Sequence, residues 1–272
     1  MGMRLPVFLA CAALLAGCDV QVGKDGVSVN VAEGRARDEW VRSYTLQPGG
    51  TLEIVNVNGR IEATGTSGNQ IEVRAERTVR EHATEAAQQR LMDVKMGEEV
   101  SASRVRIEAQ LPKDGGILDH SSLTVQYTVR VPAGIAVHLK SDNGRIRLEG
   151  LSAKVTASTI NGSISSRALS GPVSIDATNG DVQIDLAAVG GDVQVSTING
   201  NVRLELPAGL EAMLEATCVN GSVDVDAALM LQESESSRRR VAGTFNGGGP
   251  RISVATVNGG IRVRDRPSDQ TN

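Results

Sequence analysis

Apolar and polar residues alternate in short runs from Val137 to Val225, and each run breaks at Asn-Gly. Six residues before each Asn stands an aliphatic: Leu52, Val137, Val155, Val173, Val193, Leu214 and Ile252. Four before it come Ile54, Leu139, Ala157, Ile175, Val195, Ala216 and Val254, and three after it Ile61, Ile146, Ile164, Val182, Val202, Val223 and Ile261. A period of two predicts strands with one face in a core and the other in water. The intervening residues, such as Arg145, Arg147, Asp181, Gln183, Arg203 and Glu205, are polar as the wet face requires.

The breaks are Asn58-Gly59, Asn143-Gly144, Asn161-Gly162, Asn179-Gly180, Asn199-Gly200, Asn220-Gly221 and Asn258-Gly259, the candidate structural turns. Asn-Gly supplies the positive φ of a tight corner, because Gly has no Cβ and Asn tolerates the left-handed region. In the central copies the Asn residues are 18, 18, 20 and 21 apart, with a second Gly corner midway at Gly171, Gly190-Gly191 and Gly209. A unit of that length cannot bury its own apolar face and must stack on copies of itself. Stacking would superpose the Asn side chains in a hydrogen-bonded ladder. The expectation is an all-β, single-domain, β-solenoid-like stack of roughly 20-residue coils with one short capping α-helix. An antiparallel meander, which Asn-Gly hairpins also build, is the alternative.

The repeated Val-x-x-x-Thr-x-Asn-Gly-x-Val text and the closing Gly247–Val263 stretch resemble the bacterial adhesin-like β-strand-repeat family of unknown function, over about Leu52 to Val263. That resemblance implies an envelope location and no catalytic residue.

The remaining text suggests four segments: 1–17 a leader, 18–50 an N-terminal tether, 51–263 the repeat domain and 264–272 a disordered tail. Within the repeat domain, Ile71–Arg77, Val105–Leu111 and Leu123–Val131 alternate as strands, and Lys113–Gly116 reads as a loop. Glu81–Met92 has high helix propensity without Gly or Pro, and a helix there would cap an exposed sheet edge or bind a partner. Gln232–Arg240 reads as a solvated excursion between the last two coils.

The leader has Arg4, an apolar run from Leu5 to Leu15, and Leu15-Ala16-Gly17-Cys18 at its end. That quartet resembles the lipobox of bacterial lipoproteins, in which the cysteine is acylated after cleavage. Cys18 is therefore the candidate lipidation site, with acyl chains such as palmitate anchoring the protein to a membrane without spanning it. Asp19 resembles an inner-membrane retention signal in some lineages, so inner and outer membrane both stay open. Cys11 leaves with the leader, and Cys218 is left as a small interior side chain or a reactive thiol.

Composition adds exclusions. Aromatics make up 2% of the chain and the net charge is −4, which suits thin coils and offers no footprint for nucleic acid. Asp176, Asp181, Asp185, Asp192, Asp224 and Asp226 are the carboxylates from which a solenoid carbohydrate-active enzyme would draw its catalytic set. Their alternation with apolar residues accounts for them as solubilising positions, so no catalytic residue is assigned. His82, His120 and His138 have no ligand spacing, and neither metal nor cofactor is expected. Trp40, Tyr44 and Tyr127 lie outside the regular coils, so sugar-stacking rings are missing from them. The function expected is a non-catalytic, lipid-anchored envelope protein with a β-solenoid surface for protein or glycan contact; the alternative is the solenoid enzyme.

Overall fold

The computed structural model describes residues 18–23, 26–31, 34–110 and 123–266. The leader, Lys113–Gly116 and His120 lie outside the described residues. Strands β1 (Cys18–Gly23) and β2 (Gly26–Val31) pair antiparallel in a sheet of their own. After them come β3 (Gly34–Tyr44), β4 (Thr51–Asn58), β5 (Ile61–Thr66), β6 (Ile71–Glu81), helix α1 (Thr84–Asp93), β7 (Lys95–Val100), β8 (Arg104–Gln110) and β9 (Leu123–Pro132). The regular coils follow as β10 (Ala136–Asn143) with β11 (Ile146–Glu149), β12 (Val155–Asn161) with β13 (Ile164–Arg167), β14 (Val173–Asn179) with β15 (Val182–Asp185), β16 (Val193–Asn199) with β17 (Val202–Leu206), and β18 (Ala212–Asn220) with β19 (Val223–Val225). A hairpin, β20 (Gln232–Ser236) and β21 (Arg240–Phe245), leads to the last coil, β22 (Arg251–Asn258) with β23 (Ile261–Asp265).

Each coil gives its first strand to one sheet and its second to the other, so two long sheets face each other across a thin core. The orders are β20-β21-β18-β22-β16-β14-β12-β10-β4-β8-β7 and β19-β23-β17-β15-β13-β11-β5-β9-β6-β3. The coil strands are parallel and in register, as in Val137↔Val155 and Asn143↔Asn161. That excludes the meander, since hairpins would give antiparallel neighbours. The inward rows are buried: Leu52, Ile54, Leu139, Ile146, Ile164, Ile184, Leu204 and Ile261 have no exposed surface. Burying such a side chain contributes about 1.5–3 kcal/mol, and a core this thin needs few rings.

Among the coils from β10 onward the chain order is broken once. The last coil, β22 with β23, inserts between β16/β17 and β18/β19. Because every coil carries the same offsets, it fits between two others as well as at an end. The Gln232–Arg240 stretch is accordingly not a free excursion: β21 pairs antiparallel with β18, and β20 with β21. The tether expected over 18–50 is likewise corrected from Gly34 onward. β3 pairs with β6 along 11 residues and buries Trp40, which gives this segment the apolar anchor a tether lacks. Of the expected tail, Arg264 and Asp265 end β23. At the N-terminal end, β8 and β9 form an irregular coil beside β4 and β5, and α1 packs on β3 and β6 through Ala87 and Leu91.

Candidate functional site

The structural feature that the sequence singles out is the line of Asn-Gly corners along one side of the stack. The side chains form one ladder. Asn143 Nδ2 donates to Asn58 Oδ1 (3.1 Å), Asn161 to Asn143 (2.9 Å), Asn179 to Asn161 (3.0 Å), Asn199 to Asn179 (2.8 Å), Asn258 to Asn199 (2.7 Å) and Asn220 to Asn258 (2.8 Å). The reversal of the last two follows the inserted coil. Each corner glycine but Gly221, whose coil is the last in the stack, also donates its N–H to the Asn carbonyl of the next coil, as Gly162 does to Asn179 at 3.0 Å.

The reason for glycine differs from the expected one. Only Gly59 and Gly259 have φ in the positive range; Gly144, Gly162, Gly180, Gly200 and Gly221 do not. A Cβ on any of these five would instead collide with the carbonyl oxygen of the neighbouring corner glycine. Close approach of coil to coil, not left-handed backbone, excludes a side chain here. Two residues before the Asn, Thr159, Thr197 and Thr256 turn their hydroxyls inward to donate to Gly144, Gly180 and Gly200 carbonyls at 3.2, 3.2 and 3.0 Å. Cys218 occupies the same position, buried, and Ser141 does too, but with no partner for its hydroxyl.

The six aspartates do not converge. Asp176 accepts from Ser196 Oγ, Asp181 from Asn201 N (2.7 Å) and Nδ2 (3.2 Å), and Asp192 from Arg251 N (2.9 Å). Asp185 pairs with Arg266 (2.8 Å), Asp224 with Arg264 (2.5 Å), and Asp226 caps a short turn through Ala228 N (3.0 Å). The Arg264 hydrogen bond holds the Asp224 carboxyl below the ordinary range despite some desolvation. Five of the six thus link a coil to its neighbour or brace the chain end, and the sixth caps a turn.

Among the described residues no three His, Cys, Asp or Glu side chains gather as a metal site would require. His138 lies exposed on β10 and His82 just before α1. A shallow dish of about 590 Å³ on the outer sheet face is lined by Arg60, Glu62, Arg145 and Arg147, but it is open and charged. Arg60 pairs there with Glu62 (3.7 Å) and Arg145 bonds Ser163 Oγ (3.0 Å). Trp40, Tyr44 and Tyr127 all sit at the N-terminal end, with Tyr127 fully buried and the Tyr44 hydroxyl donating to Glu98 at 2.5 Å. Cys18 is the first residue of β1.

Two facing, mainly parallel sheets joined by a spine of stacked corners define a toast-rack β-stack. The chain belongs to the Toastrack DUF4097 family, whose profile matches residues 121–264, more than half of its length. No curated protein matches it. Among solved structures, one from Clostridium sporogenes, provisionally described as a cell adhesion protein, is similar at 11% identity with a TM-score of 0.51, covering 85% of this chain and 100% of that one. A provisionally described adhesin from Bacteroides fragilis, at 9% identity, covers 84% and 97% with a TM-score of 0.31. At such identities the likeness to the first shows the fold alone.

Proposed function

We propose that this protein is a non-catalytic, lipid-anchored component of the bacterial cell envelope that holds a rigid β-stack out from a membrane as a contact surface for protein or glycan, in the manner of an adhesin or scaffold. The observation that carries the non-catalytic reading is the engagement of all six candidate aspartates in hydrogen bonds or ion pairs within the stack. A catalytic carboxylate pair needs two groups facing one bond of substrate, and here five are held by neighbouring coils or the chain end and the sixth by a turn. Anchoring rests on the Leu15–Cys18 quartet, and among the described residues no helix is long and apolar enough to cross a membrane. Acyl chains on Cys18 would supply the attachment. Neither nucleic acid nor a cofactor has a part in this reading.

The test is detergent-phase partitioning of wild type and Cys18→Ser expressed in a bacterial host. The expected result is loss of the wild-type protein's membrane fraction in the variant, with the uncleaved precursor accumulating. Equal membrane association of the two would refute the anchor.

A further inference from the structure

We propose that the chain self-associates along its asparagine spine as an antiparallel two-fold dimer centred on Ile198. The residue just before each Asn points outward beside the spine. In spatial order these residues run Val57, Asp142, Ile160, Thr178, Ile198, Val257 and Val219, the residues on either side of each being in register from coil to coil. The aliphatic ones are conspicuous on an otherwise polar face: Ile160 is 45% exposed, Ile198 47%, Val257 39% and Val219 53%.

The row continues by one more step into the turn between β20 and β21. Arg239 and Arg238 carbonyls accept from Cys218 N (2.8 Å) and Val223 N (2.9 Å), so this turn straddles the final corner. Both arginines are exposed and, among the described residues, have no side-chain partner; nor has Asp142, one step in from Val57 at the other end of the row.

From Asp142 onward the pattern is anion, Ile, Thr, Ile, Val, Val, cation pair, with Ile198 midway between the anion and the cations and Val57 lying beyond the anion. A two-fold axis lying across the spine at Ile198 sets this row against its own reverse. Asp142 then faces the partner's Arg238 and Arg239, Ile160 faces Val219, Thr178 faces Val257, and Ile198 meets Ile198. One step back from the corners, Lys140 faces Arg240, which is already held by Glu215 (3.1 Å) and Glu235 (3.3 Å), a cluster with a net negative charge. A parallel pairing would instead put Asp142 on Asp142 and the arginines on arginines, so charge selects the antiparallel arrangement. Six strand spacings of about 4.8 Å make a contact about 29 Å long. It is narrow, which places it among weak and transient interfaces. The inference depends on neither the lipid anchor nor the adhesive role.

The experiment is sedimentation of the full chain in density-matched detergent from micromolar to millimolar concentration. The mass should rise with concentration toward twice 28.5 kDa. Arg238→Asp with Arg239→Asp, and separately Asp142→Arg, should each hold it monomeric, and combining all three should restore association. Thermal melts should coincide for all of these surface variants. A short bismaleimide should crosslink Ile198→Cys strongly and Thr178→Cys weakly, above the wild-type background. A wild type that stays monomeric, reversed variants that associate like wild type, a combination that fails to rescue, or equal crosslinking at the two cysteines would each overturn the dimer.

Discussion

Gly180 lies so near Gly162 that a Cβ built on it would overlap the Gly162 carbonyl oxygen, although its own φ lies outside the left-handed range. The same contact recurs at Gly144, Gly162, Gly200, Gly221 and Gly259, and it fixes how close the coils can stack.

Gly180→Ala should therefore destabilise the protein by about 2 kcal/mol or more, since a new methyl meets backbone that neighbouring coils hold in place. Gly134→Ala should be neutral or stabilise by up to about 1 kcal/mol, because nothing lies within 4 Å of a Cβ there and its φ is not in the positive range. Urea midpoints of the two variants should fall on opposite sides of, or for Gly134→Ala at, that of wild type.

Much of this architecture was legible in the sequence. The period-two rows, the coil length and the stacked Asn residues all follow from spacings of residues such as Val155, Asn161 and Ile164, because a strictly parallel stack puts equal offsets at equal places. The cause of the corner glycines was not legible: φ is a local property, whereas the Gly180–Gly162 contact joins residues of different coils. Nor was the insertion of β22 and β23, because coils with identical offsets carry no label of their neighbours. Gly34–Tyr44 escaped because Trp40 is one apolar anchor in a charged strand whose partner, β6, begins 27 residues after it ends. Nor were the partners of the six candidate aspartates legible, since alternation marks a residue as outward without saying which coil it meets.

The ladder should respond by position. Asn179 both donates and accepts within it, whereas Asn220 ends it with a single link. Asn179→Ala should cost about 1–2 kcal/mol and Asn220→Ala about half as much, each lost bond contributing about 0.5–1.5 kcal/mol. Equal denaturation midpoints for the two would mean that the ladder adds nothing to stability.

Inside the corners, two hydroxyls should behave oppositely. Thr197→Val removes a donor from the Gly180 carbonyl and should cost about 1 kcal/mol, while Ser141→Ala removes a buried hydroxyl without a partner and should be neutral or slightly stabilising. Calorimetry of both variants checks the pair of signs.

The N-terminal end should loosen in acid. Burial alone would raise the Glu53 carboxyl, but hydrogen bonds from Arg104 and Arg106 outweigh it and hold the group below its ordinary value. A depressed folded pKa contributes stability that is present above the unfolded pKa and lost as pH falls through the folded one. Amide exchange in β4 and β8 should therefore quicken as pH drops below about 4, and Glu53→Gln should show that looseness at neutral pH with little further change. An unchanged protection pattern in the variant would remove Glu53 from the account.

Asp181 and Asp192 separate the scaffold from an enzyme. Both accept from a backbone amide of the adjoining coil, Asn201 N and Arg251 N, and a charged acceptor makes such a bond stronger than a neutral one. Replacing both with Asn keeps shape and most of the hydrogen bonding but removes the charge. The double variant should lose about 1–2 kcal/mol of stability, because carboxylates that link coils matter to the fold whether or not a substrate exists. Surface carboxylates serving catalysis would show the reverse: folding little changed and turnover abolished. Purified protein and variant should both leave a panel of envelope polysaccharides without new reducing ends or unsaturated products, while their melting temperatures differ. Turnover by the wild type that vanishes in a variant of unchanged stability would make Asp181 and Asp192 catalytic and turn the scaffold into a carbohydrate-active enzyme.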